Sequence, residues 1–273
     1  MASDLKQRIG LGSILVLAVI GLFIVDRDYF HSASALVFAF LAIAAQQELY
    51  SMLEADETSV RKKAGGIIGA IVLASASFAP ERRFEALLGS LVLYLIYEVL
   101  TGETNNATRR LAATFLPILV VPVLLSYALL IRNIQIDGWS WVVMLVVACK
   151  AGDSSAYLVG SAIGKHKLAP QVSPNKSWEG AIASLLGACL GAFFVAQYAF
   201  DGRLSIEVWV GAALVTNIGA QFGDLAESLL KRGCSSKDSA SVLPAFGGTF
   251  DIVDSFLIAA PALYFFLKIM GVN

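Results

Sequence analysis

The stretch QFGDLAESLLKRGCSSKDSASVLPAFGGTFDIVD, residues 221–254, joins the end of one apolar run to the start of another and carries eight charges. The whole chain has 273 residues, of which 57% are hydrophobic and 15% charged, and its mean hydropathy is +0.72. This composition is typical of integral membrane proteins and is too apolar for a soluble domain. Such a dense group of charges between two apolar runs indicates a functional loop.

Apolar runs of membrane-spanning length divide the rest of the chain. A bilayer core of about 30 Å requires about 20 apolar residues in a helix. Backbone groups in lipid must be hydrogen-bonded internally, which favours helices over strands. The sequence predicts an all-α integral membrane protein, a polytopic, multi-pass bundle of about nine transmembrane helices, the first of them not cleaved as a signal peptide. The expected spans are 9–25, 33–52, 64–80, 84–100, 109–131, 139–160, 179–200, 206–231 and 251–270.

The Lys and Arg residues between these runs predict the orientation in the membrane. Cytoplasmic loops are enriched in Lys and Arg, and with the N-terminus inside, 13 of these residues face the cytoplasm against 6 on the other side. We expect a cytoplasmic N-terminus, a location in the cell inner membrane and two cytoplasmic motif loops, 161–178 and 232–250. Residues 1–138 are expected to form a transmembrane scaffold, and residues 139–273 a catalytic transmembrane domain whose active site faces the cytoplasm.

The acids on both sides of the charged loop suggest a phosphate site. In a helix, Asp224, Glu227 and Lys231 fall on one face on successive turns. Asp251 and Asp254 form a second pair, three residues apart, at the head of the last apolar run. Mg²⁺ in proteins takes one or two carboxylates together with substrate phosphates and water. Carboxylates beside lysines therefore favour a magnesium-bound polyphosphate as the ligand.

The charged stretch also resembles the signature of the phosphatidate cytidylyltransferases, or CDP-diacylglycerol synthases. Two positions depart from the family pattern, since Phe246 stands where the family has His and Ile252 where it has Arg. The residues that match at unbroken spacing are Ser228, Lys231, Arg232, Lys237, Asp238, Pro244, Gly247, Gly248, Asp251 and Asp254.

A second stretch, from residue 156 to residue 180, resembles the same family. Ser161 replaces an Arg of the pattern and Ser177 replaces a Thr. Ser173 and Pro174 also have the types favoured at the N-cap and first position of a helix, so the next span is expected to start there. The matching residues are Ala156, Tyr157, Gly160, Gly164, Lys165, Ser173, Pro174, Lys176, Glu179 and Gly180.

The resemblance implies transfer of CMP from CTP to phosphatidate, which gives CDP-diacylglycerol and pyrophosphate for phospholipid biosynthesis. The expected cofactor is Mg²⁺, with or without a second cation, held by Asp224 and Asp251, one on each helix flanking the loop. The expected partners are CTP, phosphatidate or a similar lipid phosphate, membrane lipids and, as the resemblance implies, a second copy of the chain. The net charge of −1 and the apolar composition argue against nucleic acid.

The candidate residues follow from this chemistry. A lipid phosphate is already an anion, so no Ser, Cys or His nucleophile is required, and the chain has only two His. Lysines and a metal ion would bring the two polyanions together. The candidate catalytic residues are Asp224, Asp251, Asp254, Lys231, Lys237 and Asp238. The candidate substrate-binding residues are Ser173, Lys176, Lys165, Arg232, Ser228, Gly247, Gly248 and Asp153.

Some charged residues have simpler interpretations. Lys150 and Asp153 lie three residues apart within an apolar span and are expected to neutralise each other or to face a wet cavity. Glu48 and Glu98 lie near the ends of their spans and are expected to reach the membrane interface. The pair of aspartates at the head of the last span could merely cap that helix, because acids favour helix N-termini.

Two other functions fit the sequence. A related CTP-dependent enzyme could act on another lipid, as an isoprenoid-ether lipid phosphate cytidylyltransferase or a polyprenol kinase. A transporter could use Lys150, Asp153, Asp224 and Glu227 as an ion path, although no internal repeat of the kind common in transporters is visible.

Overall fold

The computed structural model describes residues 33–56, 58–234 and 248–272, and there the chain is helical except for one short hairpin. The helices are α1 (Ala33–Ala55), α2 (Lys62–Phe78), α3 (Arg83–Thr101), α4 (Ala107–Ile118), α5 (Leu124–Arg132), α6 (Gly138–Ile163), α7 (Trp178–Tyr198), α8 (Ile206–Gly233) and α9 (Thr249–Ile269). A 3-10 turn, Pro80–Arg82, precedes α3. The strands β1 (Lys167–Ala169) and β2 (Ser173–Ser177) pair antiparallel.

Helices lie at every predicted span except the first, 9–25, which falls outside the described residues. Among the described residues, six helical segments are long and apolar enough to cross a membrane: Ala33–Ala55, Pro80–Thr101, Ala107–Arg132, Gly138–Ile163, Trp178–Tyr198 and Thr249–Ile269. Helix α2, with 17 residues, and α8, which carries Asn217, Gln221 and Asp224, are not among the six. The helical, multi-pass membrane architecture is confirmed, and the count of nine spans stays a prediction.

The predicted span 109–131 is one continuous helical segment that contains a short π-helical turn. Pro117 and Pro122 lie inside it, and each lacks the N–H that would bond to the preceding turn. The chain forms a π-helical turn, Leu119–Val123, between α4 and α5, which lets the helix continue past both prolines.

The prediction that a helix starts at Ser173 and Pro174 is wrong. Both residues lie in β2, and α7 begins at Trp178. The N-cap is Ser177, whose Oγ accepts a hydrogen bond from the Gly180 N–H at 3.2 Å. The first two residues are held in strand β2 by pairing with β1, so the capping role passes to the serine directly before the apolar run.

One hydrophobic core extends through α1, α5, α6, α8 and α9. Leu49, Leu125, Leu145 and Leu257 are among its fully buried side chains. Core residues lie on both sides of residue 138, the predicted boundary between scaffold and catalytic domain, so the two parts of the chain pack together. The division of roles between them stays a prediction.

Helices α8 and α9 pack backbone against backbone. A Cβ on Gly219 would lie 2.8 Å from the Cα of Ala259, and a Cβ on Gly223 would collide with the carbonyl oxygen of Asp254. Any larger residue at these two positions would force the helices apart. The close approach brings the acid-bearing part of α8 against the start of α9.

Polar contacts gather at both ends of the bundle. At one end, the Arg61 N–H donates to Thr114 Oγ1 at 3.0 Å, and the described parts of both motif loops lie at this end too. At the opposite end, Asn133 Nδ2 donates to the carbonyl oxygen of Ala76 at 3.0 Å. We call the first the site end.

Glu48 and Glu98 were expected to reach the membrane interface, and both are buried at the site end with partners inside the protein. Glu98 is 8% exposed, and its carboxylate accepts hydrogen bonds from Arg110 at 2.8 Å and from Arg61 at 3.0 Å. Glu48 is 9% exposed and accepts the backbone N–H of Thr249 at the start of α9. Buried carboxylates persist where donors of this kind replace water.

Candidate active site

Three acids from α8 and α9 meet at the site end of the bundle. Asp224 and Glu227 project from α8 and Asp254 from α9, and one carboxylate oxygen of each lies within 4.8 Å of the others. Carboxylate oxygens are the hard ligands that Mg²⁺ prefers. The donor set and its spacing therefore fit a divalent cation, and we call these three residues the acidic cluster.

Asp251 lies beside the acidic cluster but has other partners. One carboxylate oxygen accepts a hydrogen bond from the Lys231 ammonium, and the other accepts the Gly248 N–H at 3.0 Å. Asp251 therefore caps α9, as one of the simpler interpretations expected. Binding of one cation by Asp224 and Asp251 stays a prediction, whereas Asp224 and Asp254 are the pair whose oxygens lie together.

Lys231 bridges the two acid-bearing helices. Its ammonium forms ion pairs with Glu227, one turn earlier on α8, and with Asp251 on α9. The Glu227 side chain is only 4% exposed, so this contact replaces lost solvation. The sequence placed Glu227 on one helix face with Asp224 and Lys231, and the structure adds its place in the acidic cluster.

Negative charge exceeds positive charge in this part of the site. When all groups are ionised, the described residues here supply four carboxylates and two ammonium groups. The excess of two negative charges equals the charge of one divalent cation, which would offset their mutual repulsion. The groups counted are Asp224, Glu227, Asp251, Asp254, Lys176 and Lys231.

A cavity of about 520 Å³ lies between α6, the hairpin, α7 and α8. Asp153, Lys176 and Asp224 line it, so residues from both predicted motif regions share one space. Lys176 Nζ lies 2.6 Å from Asp224 Oδ2, which links the hairpin to the acidic cluster. Tyr157, also in the lining, is 75% exposed. Because Lys176 lies in this lining, the cavity can receive an anionic group beside the acidic cluster.

Three polar side chains, linked by hydrogen bonds, support one wall of this cavity. Gln221 Nε2 donates to Asn217 Oδ1 at 2.9 Å, and Asn217 Nδ2 donates to Ser184 Oγ at 2.9 Å. Gln221 and Ser184 both line the cavity. These three residues were not among the predicted site residues, although the spacing of four residues between two amides in an apolar helix was a usable signal.

Lys150 and Asp153 neutralise each other, as predicted. Lys150 Nζ lies 3.1 Å from Asp153 Oδ2 and donates to Ser255 Oγ at 3.1 Å. The second contact ties α6 to α9 one residue after Asp254. The pair therefore supports the arrangement of helices around the acidic cluster, and Asp153 also faces the cavity.

The other predicted site residues are spread more widely. Gly248 is buried and supplies its N–H to Asp251. In the described part of the chain, Lys165 and Arg232 are exposed, Ser173 and Ser228 are half-buried, and none of these four residues lines the cavity. Three candidates, Lys237, Asp238 and Gly247, lie outside the described residues, as does Phe246.

Glu48 makes a contact near the site that no sequence pattern could have identified. It lies on α1, yet both of its carboxylate oxygens accept backbone N–H groups at the start of α9. The residues joined in this way are 201 and 202 positions apart in the chain. A single acid near the end of an apolar run carries no signal of such a contact.

Comparison with known proteins gives a consistent result. The sequence profile described as the Cytidylyltransferase family matches residues 6–270. A phosphatidate cytidylyltransferase of Bacillus subtilis (strain 168) is similar, with 31% identity over 98% of this chain and 99% of its own length. Another from Mycobacterium leprae (strain TN) is 36% identical over 63% of this chain and 55% of its own. One from Brucella abortus (strain 2308) is 41% identical over 50% of each chain.

Proposed function

This chain belongs to the cytidylyltransferase family, and we propose that it transfers CMP from CTP to phosphatidate, giving CDP-diacylglycerol and pyrophosphate. The observation that carries this proposal is the acidic cluster, placed beside a cavity that Lys176 helps to line, at one end of a membrane bundle. The relatives from Bacillus subtilis and Mycobacterium leprae are both named phosphatidate cytidylyltransferase.

The reaction needs electrostatic help more than a protein nucleophile. A phosphate oxygen of phosphatidate attacks the α-phosphorus of CTP and forms a new P–O bond. The bond from the α-phosphorus to the oxygen that bridges to the β-phosphorus breaks, and pyrophosphate leaves with that electron pair. Repulsion between the two polyanions is the main barrier, so positioned positive charge is the main requirement.

The described residues can supply that charge and position it. Mg²⁺ held by Asp224, Glu227 and Asp254 would, when bound, offset negative charge on the α-phosphoryl group and on pyrophosphate. Lys176 lines the cavity and can exchange its contact with Asp224 for a phosphate oxygen. Lys231 keeps Glu227 aligned through their ion pair.

The site end also suits a lipid acceptor. Tyr157 and Leu158 are 75% and 67% exposed on α6 next to the cavity. In a bilayer this surface would contact acyl chains, so the lipid can remain in the membrane while its phosphate enters the cavity.

We place the site end at the cytoplasmic face of the cell inner membrane, where CTP is available. Basic residues are concentrated there, as the positive-inside rule requires of a cytoplasmic face. We further propose nine spans with a cytoplasmic N-terminus and a homodimer built on the N-terminal helices. The basic residues at the site end, within the described ranges, are Arg61, Lys62, Lys63, Arg109, Arg110, Lys165, Lys167, Lys176, Lys231 and Arg232.

A related enzyme with another lipid acceptor is the second candidate. Ile252 stands next to Asp251 where the family pattern has Arg, so this chain lacks one cation that could contact a lipid phosphate. Transport is disfavoured because the chain belongs to an enzyme family. It is also disfavoured because Lys150 and Asp153, two residues of the alternative ion path, are paired with each other.

The direct test is CDP-lipid formation from radiolabelled CTP by the purified protein, with Mg²⁺ and a panel of lipid phosphates. We expect CDP-diacylglycerol from phosphatidate and a rate lower by about 100-fold or more in Asp224→Asn. Asp201→Asn is the matched control, because Asp201 is 82% exposed near Arg203 at the opposite end. Absence of product from every lipid phosphate, beside an active Bacillus subtilis enzyme, would contradict the proposal.

A further inference from the structure

Glu48 joins the N-terminal part of the bundle to the helix that carries Asp251 and Asp254. Its Oε1 accepts the Thr249 N–H at 2.7 Å and its Oε2 accepts the Phe250 N–H at 2.8 Å. The residue is 9% exposed, so few water molecules compete for these bonds.

The two amides bound by Glu48 are the first of α9. The first four N–H groups of a helix have no partner within it, and their dipoles favour a negative charge at that end. Glu48 satisfies two of them with both carboxylate oxygens, and Asp251 satisfies the N–H of Gly248 just before. The start of α9 is therefore fixed in position and in rotation about its axis.

Packing between α1 and α9 does not depend on Glu48 alone. Phe38 and Phe256 meet edge to face with ring centroids 5.9 Å apart, and Phe250 is fully buried. These apolar contacts can keep the two helices together without the carboxylate. What the two hydrogen bonds add is orientation at the one end of α9 that bears the acids.

We propose that Glu48 is a positioning residue for the cation site: through the first two amides of α9 it sets the direction in which Asp254 meets Asp224 and Glu227. This inference rests on the proposed function in so far as the acidic cluster holds a divalent cation. Glu48 itself touches neither the acidic cluster nor the cavity lining.

The test is a titration of purified protein in detergent with Mn²⁺, with free Mn²⁺ followed by its paramagnetic resonance signal. Glu48→Gln keeps the size of the side chain but turns one acceptor oxygen into a donor that faces an N–H. We expect the half-saturating Mn²⁺ concentration to rise about 10- to 100-fold, as for other residues that orient metal ligands. Hydrogen exchange at residues 249–252 should also become faster.

The matched control is Glu54→Gln, on the same helix. Glu54 is paired with Lys62 at 2.6 Å, and its side chain is 46% exposed. We expect the half-saturating Mn²⁺ concentration of the Glu54→Gln protein to stay within about twofold of wild type. Glu48→Asp, which is shorter by one methylene and can reach one amide, should give a smaller loss than Glu48→Gln and carries the test if Glu48→Gln does not fold.

A purely structural role would lower Tm and the yield of folded protein while the Mn²⁺ affinity of the folded fraction stayed unchanged. That result in the folded Glu48 variants would overturn the inference, as would a wild-type protein that binds no Mn²⁺. The titration needs neither CTP nor lipid. A wild-type protein that binds Mn²⁺ but makes no CDP-lipid would therefore count against the proposed function alone.

Discussion

Lys176 connects the hairpin to the acidic cluster, and its contact can be exchanged for a substrate phosphate. A charge-assisted hydrogen bond to phosphate is worth about 1.5–3 kcal/mol. We therefore expect Lys176→Met to lower kcat/KM for CTP by about 10- to 100-fold, and Lys176→Arg to recover part of the loss. Steady-state kinetics with varied CTP concentration gives the measurement.

The control for this change is Lys63→Met. Lys63 is an exposed lysine at the same end of the bundle and does not line the cavity. Lys63→Met should leave kcat/KM for CTP within about twofold of wild type. That result would show that the effect of Lys176→Met comes from a direct contact and not from the overall positive charge at this end of the bundle. Equal kinetics in Lys176→Met and wild type would show that Lys176 does not bind the nucleotide.

At the scale of single residues, Lys176 and Lys231 could be predicted because each lies within a short motif, and Asp224 because it shares one helix face with Glu227 and Lys231. The sequence analysis favoured Asp251 over Asp254 as the second metal ligand, whereas in the structure the carboxylate of Asp254 lies with those of Asp224 and Glu227. Both stand at the head of one helix, three residues apart, and which of them meets α8 depends on how the two helices are rotated against each other. That rotation is set by contacts between elements, the hydrogen bonds from Glu48 included, and leaves no local trace in the sequence.

Helices α8 and α9 must lie close together for the acidic cluster to form. Gly223→Ala would press a methyl group against the carbonyl oxygen of Asp254. Over-packing of this kind costs about 1–3 kcal/mol, so we expect a lower Tm together with a large loss of CDP-lipid formation. Thermal unfolding in detergent and the radiolabelled CTP assay measure the two effects.

Gly233→Ala tests the same substitution on the same helix without a neighbour. Within the described part of the chain, a Cβ on Gly233 would meet no atom within 4 Å beyond its own turn of helix, and alanine is the better helix former. Its Tm and activity should match those of wild type or exceed them slightly. If Gly223→Ala were as active and stable as Gly233→Ala, close packing would not be what builds the site.

The hairpin shows why one element escaped the sequence analysis. Its strands have only three and five residues, too few for an alternating pattern to stand out. Ser173-Pro174 and Ser177 both precede the apolar run, and either could cap a helix by local preference alone. Pairing of β1 with β2 decides between them, and strand pairing is a contact that the sequence pattern does not contain.

The molecule as a whole has a membrane orientation that labelling can measure. In a background with Cys149, Cys189 and Cys234 replaced by Ala, we would place a single cysteine by Lys63→Cys at the site end or by Gln135→Cys at the opposite end. Spheroplasts treated with a membrane-impermeant maleimide should label Gln135→Cys. Lys63→Cys should react only after the membrane is made permeable.

The reverse labelling pattern would place the site on the outer face, away from cytoplasmic CTP. Labelling of both variants in intact spheroplasts would contradict a simple spanning bundle. At this scale hydropathy predicted the described helices well, because lipid demands long apolar segments. Hydropathy does not define a span where a helix is short, as α2 is, or carries polar site residues, as α8 does.

The central claim is that a divalent cation binds where α8 meets α9, and anomalous diffraction from crystals soaked in Mn²⁺ tests it most directly. We predict an anomalous peak bounded by the carboxylates of Asp224, Glu227 and Asp254. A peak held by Asp224 and Asp251 with Asp254 turned away, or a peak remote from all four acids, would contradict this account of the site.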